Sequence, residues 1–356
     1  MPTVVPLALA ASLLAPTAPS AAAQPDPMRS IAQEMVSDGA VGVQIRTVQN
    51  GQSRTVTAGT AELGSRKPVP ADGRFRIGSA TKMFVSTVVL QLVAEHRLQL
   101  DAPVERYLPG LLPRGSEITV RMLLQHTSGL YDYVRTISQV GADLEKVRYT
   151  HFSPEELVAI AAAQPLGFPP GSKFSYSNSN YAVLGMLIGK TTGHAWGDEV
   201  TRRILLPLGL WQTSIPGDRI RIPGPHAHGY QDMNGKLVDV TELNPSVAGS
   251  AGQVISTTAD LDKFLRALAA GRLVPRDLLK EMTTPRSATE PYGLGLQTFS
   301  TPCGKPAFGH TGGIAGYTTI AFTSPDGKRR VEVSISRGNG PVKDWVPAVL
   351  DQAVCH

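Results

Sequence analysis

A serine, a lysine and a tyrosine in this chain fall at spacings that could support acyl transfer. Ser79 and Lys82 stand three residues apart in Phe75-Arg76-Ile77-Gly78-Ser79-Ala80-Thr81-Lys82. From Thr81 to His96 the apolar residues Phe84, Val85, Val88, Val89, Leu92 and Val93 recur at the i, i+3, i+4 spacing that buries one face of a helix. Ser79 then lies at the helix start, where the dipole favours negative charge. Side chains at i and i+3 project from one face, so the lysine amine approaches the serine oxygen. Acyl transfer through a covalent serine intermediate divides one hard step into two, but an unassisted hydroxyl is a poor nucleophile and needs a base. Lys82, if its pKa is depressed, or Tyr176, as a phenolate held between two cations, fits that role. Tyr176-Ser177-Asn178 follows the turn-rich run Pro169-Pro170-Gly171-Ser172-Lys173-Phe174-Ser175, and His310-Thr311-Gly312-Gly313 follows an apolar strand-like run.

Ser-x-x-Lys alone recurs by chance in chains of this length. Followed by Tyr-x-Asn and then by a basic residue with Thr-Gly, it forms the three-part signature of serine penicillin-recognising enzymes. The chain resembles the soluble, secreted serine D-alanyl-D-alanine carboxypeptidases, relatives of class C β-lactamases. The resemblance extends over nearly everything after the first residues. It includes Leu123-Leu124-Gln125-His126-Thr127-Ser128-Gly129-Leu130, Tyr176 to Asn180, Gly309 to Gly313, Tyr292-Gly293-Leu294-Gly295-Leu296 and the placement of Cys303 and Cys355.

The resemblance implies an α/β (α+β) fold of the β-lactamase/transpeptidase type, an antiparallel sheet flanked by helices with a mostly helical subdomain inserted. It implies that Ser79 is the nucleophile, with Lys82 and Tyr176 as alternative bases. Asn178 would hold Lys82 and the substrate amide, and the backbone N–H groups of Ser79 and Gly313 would form an oxyanion hole. Such a hole is worth about 3 kcal/mol per donor. His310 stands where most relatives carry Lys and some carry His, and is expected to polarise Tyr176 less than Lys does. His310, Thr311, Gly312, Gly313 and Gln297 are expected to line the substrate site. The implied partners are D-Ala-D-Ala peptides, with β-lactams as covalent inhibitors; no cofactor and no metal is implied. Cys303 and Cys355 are expected to pair, restraining the unfolded chain by roughly 4 kcal/mol on the entropy model.

Two positions depart from the pattern. Gln297 stands just after Tyr-Gly-Leu-Gly-Leu, where those carboxypeptidases place an arginine on the substrate's terminal carboxylate, and Val247 replaces a tryptophan over the cleft. A lost guanidinium removes a bidentate, charge-assisted partner, which puts exopeptidase specificity in question more than acylation. Thr311 remains as a hydroxyl donor, and Arg337, at a strand end, is a substitute cation. The readings left open are a D,D-carboxypeptidase or transpeptidase; an esterase, D-amino-acid amidase or β-lactamase; and a binder acylated once and held. No Glu-bearing loop of the class A type, which would position a deacylating water, is evident.

These residues need a scaffold, and the 356-residue chain can supply one. With 42% hydrophobic and 18% charged residues it reads as globular. The formal charge of +5 has no Lys/Arg block or interleaved aromatics, which speaks for compatibility with an anionic cell wall and against nucleic acid. Residues 1–23 are Ala-, Leu- and Val-rich, end in Ala21-Ala22-Ala23 and read as a secretory signal peptide, although no Lys or Arg precedes the apolar part. No other apolar run reaches the roughly 18 residues of a membrane span, so a soluble, secreted monomer is expected.

A helix over 27–37 is expected to precede a hairpin, 41–48 and 53–59, around Asn50-Gly51. Helices follow at 119–125, at 154 onward with Ser153 and Glu156 as a capping box, at 180–192 and at 257–270. Strands return at 292–298, 305–308, 317–323 and 330–336, before a helix over 342–354. The sheet subdomain is thus assigned to 24–75 plus 285–356 and the helical one to 76–284, with the active site in the groove between them. His226-Ala227-His228 has a metal-like spacing but lacks a third ligand nearby, and reads as a surface loop.

Overall fold

The computed structural model describes residues 1–3, 26–137, 141–287, 289–339 and 343–356. The expected signal peptide lies, from residue 4 onward, outside the described residues. Alternating apolar residues build six antiparallel strands: β1 (Gly42–Gln49), β2 (Gln52–Gly59), β3 (Gln297–Ser300), β4 (Pro306–Ile314), β5 (Tyr317–Thr323) and β6 (Arg329–Ser336), in the order β2-β1-β6-β5-β4-β3. The two strands from the start of the chain are thereby joined to the four from its end: β1 pairs with β6 from Gly42↔Ser336 to Gln49↔Arg329.

The two faces of this sheet differ because the side-chain period of a strand is two. Val43, Ile45, Val331, Val333 and Ile335 face helix α1 (Pro27–Ser37) and the C-terminal turns Val346–Leu350 and Asp351–Cys355 in one apolar cluster. On the other face lies the central helix, α2 (Thr81–Ala94). Every residue of α2 from Thr81 to Leu90 is buried, more than the one face expected, because its sides are apolar all round. Its hydroxyls are satisfied: Ser86 Oγ meets Tyr181 Oη at 2.9 Å, and Thr87 Oγ1 donates to the Met83 carbonyl at 2.7 Å. Tyr181 belongs to α3 (Asn178–Thr192), and helix α4 (Thr258–Ala269) follows later in the chain.

The helical segment closes at a short strand pair, Phe75–Arg76 with Ile255–Ser256. α4 lies across β6, β5 and β1, because its apolar stripe needs cover and its polar side meets the sheet: Phe264 stacks on Phe84 of α2, with ring centres 4.1 Å apart, while Asp262 pairs with Arg330 of β6.

The Ser153/Glu156 capping box is formed. The expected strand 292–298 is not. Tyr292 makes one bridge to Gln297 and the strand begins only there, because Gly295, at φ 82°, turns the chain and a side chain at that point would strike Ser86. The third motif lies within a longer strand than the expected 305–308. A second hairpin, Tyr230–Met233 with Lys236–Asp239, turns at Asn234-Gly235. The final helix is shorter than 342–354: Val342 lies outside the described residues, the α-helix spans Val346–Leu350, and its last turn widens over Asp351–Cys355.

Cys303, after β3, and Cys355, in the last turn, are joined by a disulfide spanning 52 positions. On loop-closure grounds, Cys355→Ser is expected to lower unfolding free energy by roughly 4 kcal/mol. Denaturant unfolding of the oxidised wild type against the variant checks this; equal midpoints would contradict it.

Candidate active site

The site is assembled where the short turn Gly78–Ala80, at the head of α2, presses against β4. β3 stops pairing at Gln297↔Gly309, so the outer side of β4 beyond Gly309 is not covered by a strand. The turn approaches at that place. A Cβ on Gly78 would stand 2.7 Å from the Gly313 carbonyl oxygen, and one on Gly312 would collide with the Ile77 carbonyl. Glycine at both positions is therefore what lets Ser79 sit beside the strand backbone.

Behind Ser79, Lys82 is fully buried. Its Nζ lies 3.1 Å from Ser79 Oγ, 2.8 Å from Asn178 Oδ1 and 2.8 Å from the Ala251 carbonyl. Burial pulls its pKa down to about 7, partly opposed by the nearby carboxylate of Asp132. A neutral amine has two hydrogens and one lone pair. The two carbonyl oxygens accept the hydrogens, and the lone pair faces Ser79.

Asn178 is held in the matching orientation. Its Nδ2 donates to Asp132 Oδ2 at 3.2 Å and its backbone N–H to Asp132 Oδ1 at 3.1 Å, leaving Oδ1 for the lysine. Tyr176 lies close by, its ring centre 4.9 Å from Lys82 Nζ. Its hydroxyl is buried and has no partner of good geometry among the described residues. Burial pushes its pKa well up, with Ser79 the neighbour that opposes this. Burial favours the uncharged form of both candidate bases, and only for the lysine is the uncharged form the base.

A cavity of about 240 Å³ opens in front of Ser79, bordered by Tyr133, Asn178, Gly313 and Arg337 among others. The site thus brings together Ser79, Lys82, Tyr176, Asn178 and Gly313. Thr311, Gly312 and Gln297 do not border this cavity. Gln297 instead accepts the Thr311 backbone N–H at 2.8 Å, standing in for the strand that β3 does not provide. Val247 is buried, and its carbonyl accepts from the Tyr133 hydroxyl at 2.9 Å.

His310 is buried behind the strand rather than exposed to substrate. Its Nδ1 bonds the Thr311 carbonyl and its Nε2 meets the Tyr292 hydroxyl at 2.9 Å. Tyr292 also lies 3.3 Å from His126 Nε2, and His126 Nδ1 accepts from the Ser177 N–H at 3.2 Å. The donors and acceptors fix one direction. His126 Nε2–H donates to Tyr292, whose O–H donates to His310 Nε2, and His310 Nδ1–H donates to Thr311. Both imidazoles are neutral: burial and the Lys82 charge lower His310 to about 3, and burial takes His126 well below its ordinary value. His126 also stacks on Tyr176, ring centres 4.2 Å apart, so the relay sets the position of Tyr176 from behind.

Asp132, His126 and Tyr292 escaped the sequence reading as site residues. His126 and Tyr292 fall within the matched stretches, and Asp132 carries the local signal of an Asx cap, accepting from Val134 N–H at 3.3 Å. His226 and His228 bond the Gly224 carbonyl and Asp239. Among the described residues no trio of His, Cys, Asp and Glu is placed to hold a metal ion.

A hydroxyl nucleophile, a buried amine and a tyrosine in a groove between a helical part and an antiparallel sheet define a serine hydrolase of the β-lactamase/transpeptidase type. The family model for beta-lactamase matches residues 28–352, and the chain belongs to that family. A D-stereospecific amidohydrolase from Streptomyces sp. is similar in structure, with a TM-score of 0.85, 38% identity, and coverage of 93% of this chain and 99% of that one. Esterase EstB of Burkholderia gladioli is 32% identical over 67% of either chain. Penicillin-binding protein 4 of Amycolatopsis lactamdurans is 26% identical over 77% of this chain and 75% of its own.

Two measurements check the geometry. A base that must be neutral gives a kcat/KM that rises with pH through about 7 and then levels off; a profile flat from pH 5 to 9 would rule out Lys82. Tyr292→Phe leaves ring nitrogens of two buried histidines unpaired, and is expected to cost about 1–3 kcal/mol of stability in thermal unfolding.

Proposed function

We propose that this chain is an exported serine hydrolase that cleaves amide or peptide bonds beside a D-configured residue through an acyl-enzyme on Ser79. The observation that carries the proposal is the buried Lys82 amine, 2.8 Å from both Asn178 Oδ1 and the Ala251 carbonyl and 3.1 Å from Ser79 Oγ, which in the neutral form leaves its lone pair for Ser79. Ser79 Oγ attacks the carbonyl carbon while Lys82 Nζ takes its proton. The backbone N–H groups of Ser79 and Gly313 receive the oxyanion. The proton then passes to the leaving nitrogen, with the Tyr176 hydroxyl beside the path, and water releases the acyl group by the reverse route. The preference for a D-residue is supported by the similarity to the Streptomyces amidohydrolase, which covers almost the whole of both chains.

A D-alanyl-D-alanine carboxypeptidase, acting on peptidoglycan stem peptides and acylated by β-lactams, is the second reading. It is supported by the likeness to penicillin-binding protein 4 and by an arginine in the groove, and it loses support from Gln297, whose side chain is committed to the strand. Ester cleavage needs the same residues and an easier leaving group. The apolar first residues, the disulfide and the formal charge of +5 support export to a cell-wall setting.

The test is intact-protein mass spectrometry with benzylpenicillin, alongside hydrolysis of D- and L-alaninamide and D-alanine release from N-acetyl-D-alanyl-D-alanine. Expected are an adduct that Ser79→Ala lacks, a D over L preference of at least about tenfold, and a loss of about 10³-fold or more in the variant. Equal cleavage of the two enantiomers would refute the D-specific reading. Activity surviving Ser79→Ala would refute the acyl-enzyme.

A further inference from the structure

Arg337 follows the last residue of β6 and borders the Ser79 cavity. Its backbone N–H is held by the Gly316 carbonyl at 2.9 Å and its Nε donates to Thr318 Oγ1 at 2.8 Å, which orients the guanidinium fork. The outer nitrogen Nη2 lies 3.6 Å from where a Cβ of Gly313 would stand, beside the strand residue that flanks Ser79. The group is half-buried, and burial alone lowers its pKa. Among the described residues, no carboxylate lies within ion-pair distance of it.

Arg76, the most buried arginine, gives its guanidinium to the Ile220, Thr241 and Leu243 carbonyls, and three other shielded arginines are paired with acids. Arg330, Arg203 and Arg148 each face a carboxylate, on Asp262, Glu199 and Glu145 respectively. A partly desolvated cation without a counter-ion costs free energy that an anion in the groove would offset.

Gln231 adds a second, independent sign. It borders the same cavity, and its side-chain oxygen is buried without a hydrogen-bond partner among the described residues. Gln231 and Arg337 together continue into an adjoining cavity of about 170 Å³. The acids there are already engaged: Asp38 with Lys343 at 3.2 Å, and Asp232 with the Gly235 N–H at 2.8 Å. The groove thus offers one unpaired cation and one unpaired acceptor, on the side of Ser79 away from Gln297.

We propose that Arg337 and Gln231 form a subsite for a substrate carboxylate, the guanidinium binding the acid and the Gln231 oxygen accepting an N–H of the adjoining amide. The proposal rests on Ser79 being the acylated residue. Among the amides and peptides of that reading it favours those that carry an acid, and it moves acid recognition from the β3 edge to the end of β6. The carboxylate belongs either to the leaving residue or to the acyl part; the chemistry at Arg337 is the same, and the assay separates the two.

The test uses the full chain and two substrate pairs built on one D-alanine acyl centre. N-acetyl-D-alanyl-D-alanine against its C-terminal amide places the acid on the leaving side. N-succinyl- against N-acetyl-D-alanine p-nitroanilide places it on the acyl side. Within at least one pair the acid is expected to be preferred in kcat/KM by about tenfold or more. That ratio should fall toward one in Arg337→Gln and return in part in Arg337→Lys. A ratio read within one enzyme remains valid where a variant is less active overall, and absence of the preference in the wild type decides against the subsite without any variant. Ser79-dependent cleavage with no acid preference in either pair overturns the subsite and leaves the hydrolase reading standing, and so does a preference that survives Arg337→Gln. No Ser79-dependent cleavage of any of the four overturns both.

Discussion

The exclusion of water from one amine governs this site. Lys82 projects from a helix that is buried on every side near its start, and the cost of holding an ammonium there brings its pKa from the ordinary lysine range to about 7. Two carbonyl oxygens fix its hydrogens, so desolvation and direction act together. The apolar packing of α2 is in that sense part of the chemistry: Met83, Phe84 and Val85 do not touch substrate, but they make the neighbouring nitrogen a base. Asp132 tempers the effect at a distance, and its direct contacts go to Asn178, whose amide it turns the right way round.

A second constraint is the close approach of two backbone segments. Glycines at 78 and 312 let a turn from the helical part lie against the uncovered stretch of β4, and Gln297 occupies the backbone donor that a longer β3 would have paired. Behind the strand, the chain of donors from His126 through Tyr292 to His310 is satisfied with both imidazoles neutral. The position of the tyrosine ring therefore does not depend on a charge on either histidine.

Much of this was legible in the sequence because the signals were local. Ser79 and Lys82 are one helical turn apart, Asn50-Gly51 marks a hairpin, and Ser153 with Glu156 forms a capping box; none of these depends on distant partners. What was illegible depended on tertiary contact. The Tyr292–Leu296 stretch has the composition of a strand, yet Gly295 turns it over Ser86. His310 has the position of a substrate ligand, yet its ring is turned into the protein to meet Tyr292. Gln297 read as a lost substrate contact and is instead a backbone partner. The hairpin at Asn234-Gly235 carried the same signal as the first one and was overlooked. α4 is amphipathic in the ordinary way, and nothing along the chain says that its polar side meets a sheet.

The pairing of β1 with β6 also has a consequence in time. These strands are separated by roughly 290 residues, a distance over which loop closure is slow and strongly entropic. The segment between Phe75 and Ser256 can gather its helices from nearer contacts, but β1 and β2 have no sheet to join until the last strands are available. A chain emerging from its N-terminus therefore carries an unpaired hairpin edge through most of its synthesis, a state open to wrong pairing. Folding after transport of the whole chain, with both ends free to meet, would shorten that exposure.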